Sequence, residues 1–331
     1  MLLHPAIIAL LLSSMIISCM VVYSSYYGFR ILRQWDINSG SEVQLLLERR
    51  TYLISVVLTY VLGFQIVSLF LFIYTADSLH SLFVGAMCAA GTLNVNKYGY
   101  PLLILKMANF LAAGLWLIMN YSDNKAYDYP LVKKKYLMLL LIAPLFLGES
   151  ILLLKYFLGL KADIITSCCG SLFSVNRDTV ASELSALPFS MMKAVFYGSI
   201  GATFATGIFF ITSRKGAIWF SIASGVSFLV TIAAIISFIS LYFYELPTHH
   251  CPFCILQREY GFVGYPLYVM LFCGAVSGMG VGMLAPFQNV GSLTTIIPAL
   301  QRRLAITTLV LYALFMAVVT YRMVFTSFVL E

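Results

Sequence analysis

Charge is what this sequence has least of. Only 33 of its 331 residues are charged, 10% where soluble domains carry about 25%, and a core of this size needs a charged surface around it. That shortage excludes a soluble globular domain. Cysteine is sparse as well: seven residues are too few for a disulfide-built scaffold. Also missing are a phosphate-binding glycine loop, a Ser/His/Asp set and paired catalytic carboxylates. Although the net charge is +7, no basic cluster interleaves with aromatics, so nucleic acid is not an expected partner. What the chain has instead is apolar surface, with 61% hydrophobic residues and a mean hydropathy of +0.94. The lipid bilayer is the expected solvent.

A spanning helix needs about 20 apolar residues, and eight such runs follow one another: Pro5–Tyr27, Tyr52–Ala76, Pro101–Tyr121, Tyr136–Leu158, Met191–Ser213, Ala217–Tyr244, Tyr265–Phe287 and Leu304–Val329. None alternates apolar with polar as barrel strands do. The expected fold is therefore all-α, one polytopic transmembrane helical bundle over residues 1–331. Within the first run, Ile16-Ile17-Ser18-Cys19 resembles a lipoprotein cleavage site, but no Lys or Arg precedes it, which predicts an uncleaved helix.

Orientation follows from Lys and Arg, which remain on the cytoplasmic side. Twelve of the 20 basic residues fall in alternate connections: Arg30, Arg33, Arg49 and Arg50; Lys125, Lys133, Lys134 and Lys135; Arg214 and Lys215; Arg302 and Arg303. Both termini are then expected outside. The three outer connections, 77–100, 159–190 and 245–264, hold five cysteines: Cys88, the adjacent Cys168 and Cys169, and Cys251 and Cys254. Cys19 and Cys273 lie within spans and read as small packing residues.

The sharpest local signal is Cys251-Pro252-Phe253-Cys254-Ile255-Leu256-Gln257-Arg258. Cysteines three apart share a face of a helical turn, and Arg258, four beyond Cys254, would join it and favour the thiolate. Such a pair suits thiol-disulfide exchange. Over these eight residues the chain resembles the DsbB family of membrane disulfide-generating enzymes, whose Cys-x-x-Cys followed after three residues by Arg lies at the outer end of a helix. The resemblance implies a thiol-disulfide oxidoreductase with Cys251, Cys254 and Arg258 as catalytic residues and a bound quinone as electron acceptor. It also implies a bacterial-type inner membrane with the cysteine loops facing the periplasm or exterior, and an outer thiol protein as partner. Family members use a second outer cysteine pair to exchange with that partner, and Cys168 and Cys169, with Cys88, are the candidates for that second thiol site.

Two other readings stay open. His249, His250, Cys251 and Cys254 put two imidazoles and two thiols in six residues, a donor set for Cu(I) or another soft metal. Alternatively the outer cysteines are disulfide staples in a structural or assembly subunit of a larger membrane complex. With five outer cysteines at least one is left over, and Cys88, lacking a near neighbour in sequence, is expected either as a single thiol or packed beside one of the pairs as a third soft ligand.

Charges inside the spans are the second signal. Glu149 in the fourth run and Lys106 in the third are costly in lipid, which predicts either an ion pair or a proton relay. Gln65 and Asn109 are expected to hydrogen-bond between helices, and the small residues Gly274, Gly278 and Gly282, like Gly198, Gly201 and Gly207, to allow close helix packing.

Overall fold

The computed structural model describes residues 3–37, 39–161, 165–166, 187–326 and 328. Cys168 and Cys169 lie outside them. Among the described residues there is no strand, and eight helices are long and apolar enough to cross a membrane. In chain order the helices are α1 (Pro5–Gln34), α2 (Glu42–Ser78), the short α3 (Ala89–Leu93), α4 (Gly99–Lys125), α5 (Val132–Leu158), α6 (Phe189–Ser213) and α7 (Ala217–Ala234). A π-helical turn at Ile235–Ile239 carries α7 into α8 (Ser240–Tyr244), and α9 (Gly264–Leu284) and α10 (Ile296–Phe325) complete the set. The protein is a polytopic α-helical membrane bundle.

Several helices outrun the apolar windows that mark them in sequence. The first continues seven residues past Tyr27, and α2 starts at Glu42 rather than Tyr52. Arg30, Arg33, Arg49 and Arg50 therefore sit on helix ends, where long basic side chains reach the interface while the backbone stays hydrogen-bonded. Pro5 opens α1 at a position whose N–H has no intrahelical acceptor. Pro144 lies inside α5, where an interior proline is tolerated within a bundle.

Contacts divide the chain into two compact units. The first comprises Met1–Thr75, Asn96–Leu160 and Pro286–Leu300, and so holds α1, most of α2, α4 and α5. Its core is built from Ile17, Val21, Leu58, Leu62, Trp116, Tyr136, Leu139 and Phe146. Trp116 spends its indole N–H on the Lys135 carbonyl, 3.0 Å away, which is how a buried tryptophan is accommodated.

The second unit comprises Ala76–Val95, Lys161–Ala285 and Gln301–Glu331. In it α7 packs against both α6 and α9, and glycine sets the closeness of the second contact. A Cβ on Gly278 would lie 2.1 Å from Ser224 Oγ, and one on Gly282 would lie 2.3 Å from Ser221 Cβ. No side chain larger than hydrogen fits there. Gly198 and Gly201 differ from expectation, because a Cβ on either meets nothing within 4 Å.

Candidate thiol centre

Two segments of the second unit, far apart in sequence, build the site. The first is the stretch after α2. His80–Leu82 forms a 3-10 turn, Gly85 adopts φ +88°, and the extended Cys88 then caps α3. The second is the stretch after α8, which ends where Glu245 enters the left-handed region at φ +55°. Its sequence turns through His249 and His250 into Cys251.

Expected on one face of a helix, Cys251, Cys254 and Arg258 are arranged otherwise. Cys254–Leu256 is a single 3-10 turn, Gln257 is extended (φ −81°, ψ 162°), and Arg258–Tyr260 is a separate 3-10 turn before Gly261 reverses the chain at φ +64°. The cause is Tyr244. Its hydroxyl accepts the Ile255 N–H at 2.9 Å and donates to the Cys251 carbonyl at 2.5 Å. Those two backbone groups are the i and i+4 partners that would have closed the first helical turn. Pro252 contributes no N–H of its own, and its carbonyl accepts from the Tyr268 hydroxyl at 2.5 Å. The regular helix starts only at Gly264, and Arg258 stands exposed beyond the break.

This irregular fold turns the cysteine sulfurs inward, where a third meets them. The Sγ atoms of Cys88, Cys251 and Cys254 all lie within 4.8 Å of one another, and all three residues are buried. Cys88 and Cys251, 163 positions apart, bring their sulfurs to 3.6 Å, a contact between thiols rather than a bond. The Phe253 N–H points at the Cys251 sulfur from 3.5 Å, a donor that favours negative charge on it. Cys88 is packed beside the Cys251/Cys254 pair without a disulfide bond to either.

The histidines divide. His249 Nε2 lies 3.3 Å from the Cys254 sulfur, and its ring meets Tyr244 edge-on at 4.6 Å between centroids. Burial holds its imidazole below the ordinary histidine range, with Cys88 a smaller opposing influence, so the ring is neutral at pH 7. His250 turns elsewhere, its Nδ1 donating to the Ile236 carbonyl in the π-helical turn at 3.0 Å. The wider set drawn from sequence thus loses His250 from its place beside the thiols and gains Cys88.

Two residues that sequence reasoning passed over hold the segments together. Gln257 donates through Nε2 to the Met87 carbonyl at 2.8 Å and to Asp77 Oδ1 at 3.2 Å. Asp77 Oδ1 also accepts the Ala89 N–H at 3.1 Å. An acidic residue at the last turn of an apolar run was the available signal for Asp77. For Gln257 there was none besides its place within the cysteine motif.

The buried charges lie in the first unit. Glu149 on α5 receives Lys106 Nζ at 2.6 Å on one oxygen and, on the other, Gln65 Nε2 at 2.5 Å and Asn109 Nδ2 at 2.6 Å. Lys106 also donates to Ser68 Oγ at 3.2 Å. A second buried pair joins Lys135 to Asp123 at 2.7 Å. With three donors converging on its two oxygens, Glu149 has the geometry of an ion pair locking α2, α4 and α5.

Fold and site together define a multi-pass α-helical membrane protein with a buried three-cysteine cluster. Comparison with protein-family models, curated proteins and solved structures returns no match.

Proposed function

We propose that this protein binds a soft metal ion of the Cu(I) or Zn(II) class at its outer face, through Cys88, Cys251 and Cys254. The observation that carries the reading is the convergence of three buried sulfurs. A metal–thiolate bond of about 2.3 Å places three ligand sulfurs about 4 Å apart, and the separations here run from 3.6 Å to within 4.8 Å. Sulfur-only donors select soft ions. The neutral His249 beside Cys254 supplies a fourth ligand for an ion that prefers four. Titration of the reduced protein with Cu(I) against a chromogenic chelator tests this. One equivalent is expected, lost in Cys251→Ser and weakened at least tenfold in Cys88→Ser. Substoichiometric binding by the wild type, or binding indifferent to Cys88, overturns it.

A second reading, thiol-disulfide exchange, is favoured by the 3.6 Å approach of Cys88 to Cys251. Here a partner dithiol passes two electrons to a Cys251–Cys254 disulfide and becomes a disulfide itself. The resulting dithiol then gives two electrons and two protons to a quinone, forming the quinol. Quinone-dependent oxidation of a dithiol by the purified protein, abolished in Cys254→Ser, distinguishes this reading from the first.

A further inference from the structure

We infer that Gln257, acting with Asp77, is the clasp that delivers the Cys88 thiol to the Cys251/Cys254 pair, making a two-sulfur site a three-sulfur one. This rests on the metal reading above and assigns positioning residues within it. The hydrogen bonds bracket Cys88 on both sides. The residue before it is held by its carbonyl, Met87 to Gln257 Nε2, and the residue after it by its amide, Ala89 to Asp77 Oδ1. Gln257 closes the bracket by donating to the same Asp77 oxygen. The side-chain amide of Gln257 thereby holds the Met87 flank directly and the Ala89 flank through the Asp77 oxygen they share.

The clasp lies where it can govern geometry. Gln257 is the extended residue that separates the two 3-10 turns, three positions after Cys254, so its side chain moves with the cysteine turn. Met87 is 65% exposed, and apolar burial does not hold that flank in place. The apolar face of α3 is buried through Ala89, Ala90 and Leu93 and keeps the short helix docked when the clasp is opened. Loss of Gln257 should therefore shift the cysteine at the helix cap more than it destabilises the fold.

Leucine at 257 keeps the bulk and removes both donations. Glutamate keeps the shape but replaces a donor with a second carboxylate facing Asp77. In a chain with Cys168, Cys169 and Cys254 changed to serine, diamide oxidises Cys88 and Cys251 to a disulfide, taking up two electrons and two protons. Mass spectrometry of the linked peptides follows the rate. The expected result is a rate at least tenfold lower in Gln257→Leu and lower still in Gln257→Glu, with thermal unfolding of the bundle unchanged. Asp77→Asn, which keeps an oxygen acceptor and loses charge, is expected to slow the reaction about threefold, and it carries the test if a Gln257 variant fails to fold. Rates within twofold of wild type in the folded variants overturn the clasp.

X-ray absorption of the metal-loaded protein separates this outcome from the fate of the parent reading. Three sulfur ligands in wild type and two in Gln257→Leu support both. Three in each overturns the clasp alone. A slowed disulfide with no metal bound by wild type leaves the clasp standing and removes the metal.

Discussion

Replacing Lys106 by methionine removes the cation from a buried carboxylate of the first unit and preserves the aliphatic stem. Glu149 would keep its donors from Gln65 and Asn109 and lose the counter-charge of Lys106. Breaking one side of a buried pair costs about 3–5 kcal/mol, because the remaining charge is stranded away from water. The two amide donors offset part of this, each charged hydrogen bond contributing about 1.5–3 kcal/mol, so the lower end, about 3 kcal/mol, is expected. Glu149→Gln should cost a similar amount, since it strands the Lys106 ammonium with Ser68. The double variant, with no charge left to bury, should recover at least about 2 kcal/mol of the summed loss. Reversible unfolding in mixed detergent measures all four corners of the cycle. A Lys106→Met cost below about 1 kcal/mol, with coupling under about 0.5 kcal/mol, would refute the view that Glu149 and Lys106 stabilise the unit as a pair.

Gly278→Ala should destabilise the second unit by at least about 1–3 kcal/mol, because the new methyl meets both Ser224 Oγ at 2.1 Å and Ser224 Cβ at 2.5 Å. Gly198→Ala, with open space around it, should be neutral in the same unfolding assay. Loading the reduced protein with Cu(I) should protect Cys88, Cys251 and Cys254 from alkylation and leave Cys19 and Cys273 as reactive as before; equal protection of all five would argue against a single site. Cysteine introduced at Lys134 should resist an impermeant maleimide applied to intact cells, and its labelling there would invert the proposed orientation.

The spans were legible because lipid admits so few backbone solutions that long apolar runs have little choice but helix. Their ends were not. Hydropathy stops at the last apolar residue, whereas α2 continues back to Glu42 and α10 to Ile296 on side chains that reach water from a helical backbone. Nothing in the even succession of eight runs marks the division into two units. At the thiol centre, the cysteines and His249 could be read from residue type alone, and so, in the first unit, could the Glu149–Lys106 pairing. The local conformation could not, since the hydroxyl that displaces the first helical hydrogen bond belongs to Tyr244, outside the motif. Gln257 and Asp77 stayed hidden for a related reason: they are 180 positions apart, and a glutamine carries no chemical signature until its partner is seen.

The separation of 163 residues between Cys88 and Cys251 also sets a clock. Chains are synthesised at about 5–20 residues per second, so Cys88 emerges roughly 8–30 s before the sulfur it will face. Throughout that interval it waits on a growing chain ahead of the two sulfurs it will face, open to whatever oxidant or stray ion its compartment holds. Completion of the centre waits on the stretch that precedes the seventh span: a protein truncated anywhere before Cys251 can display one of these cysteines but never the cluster.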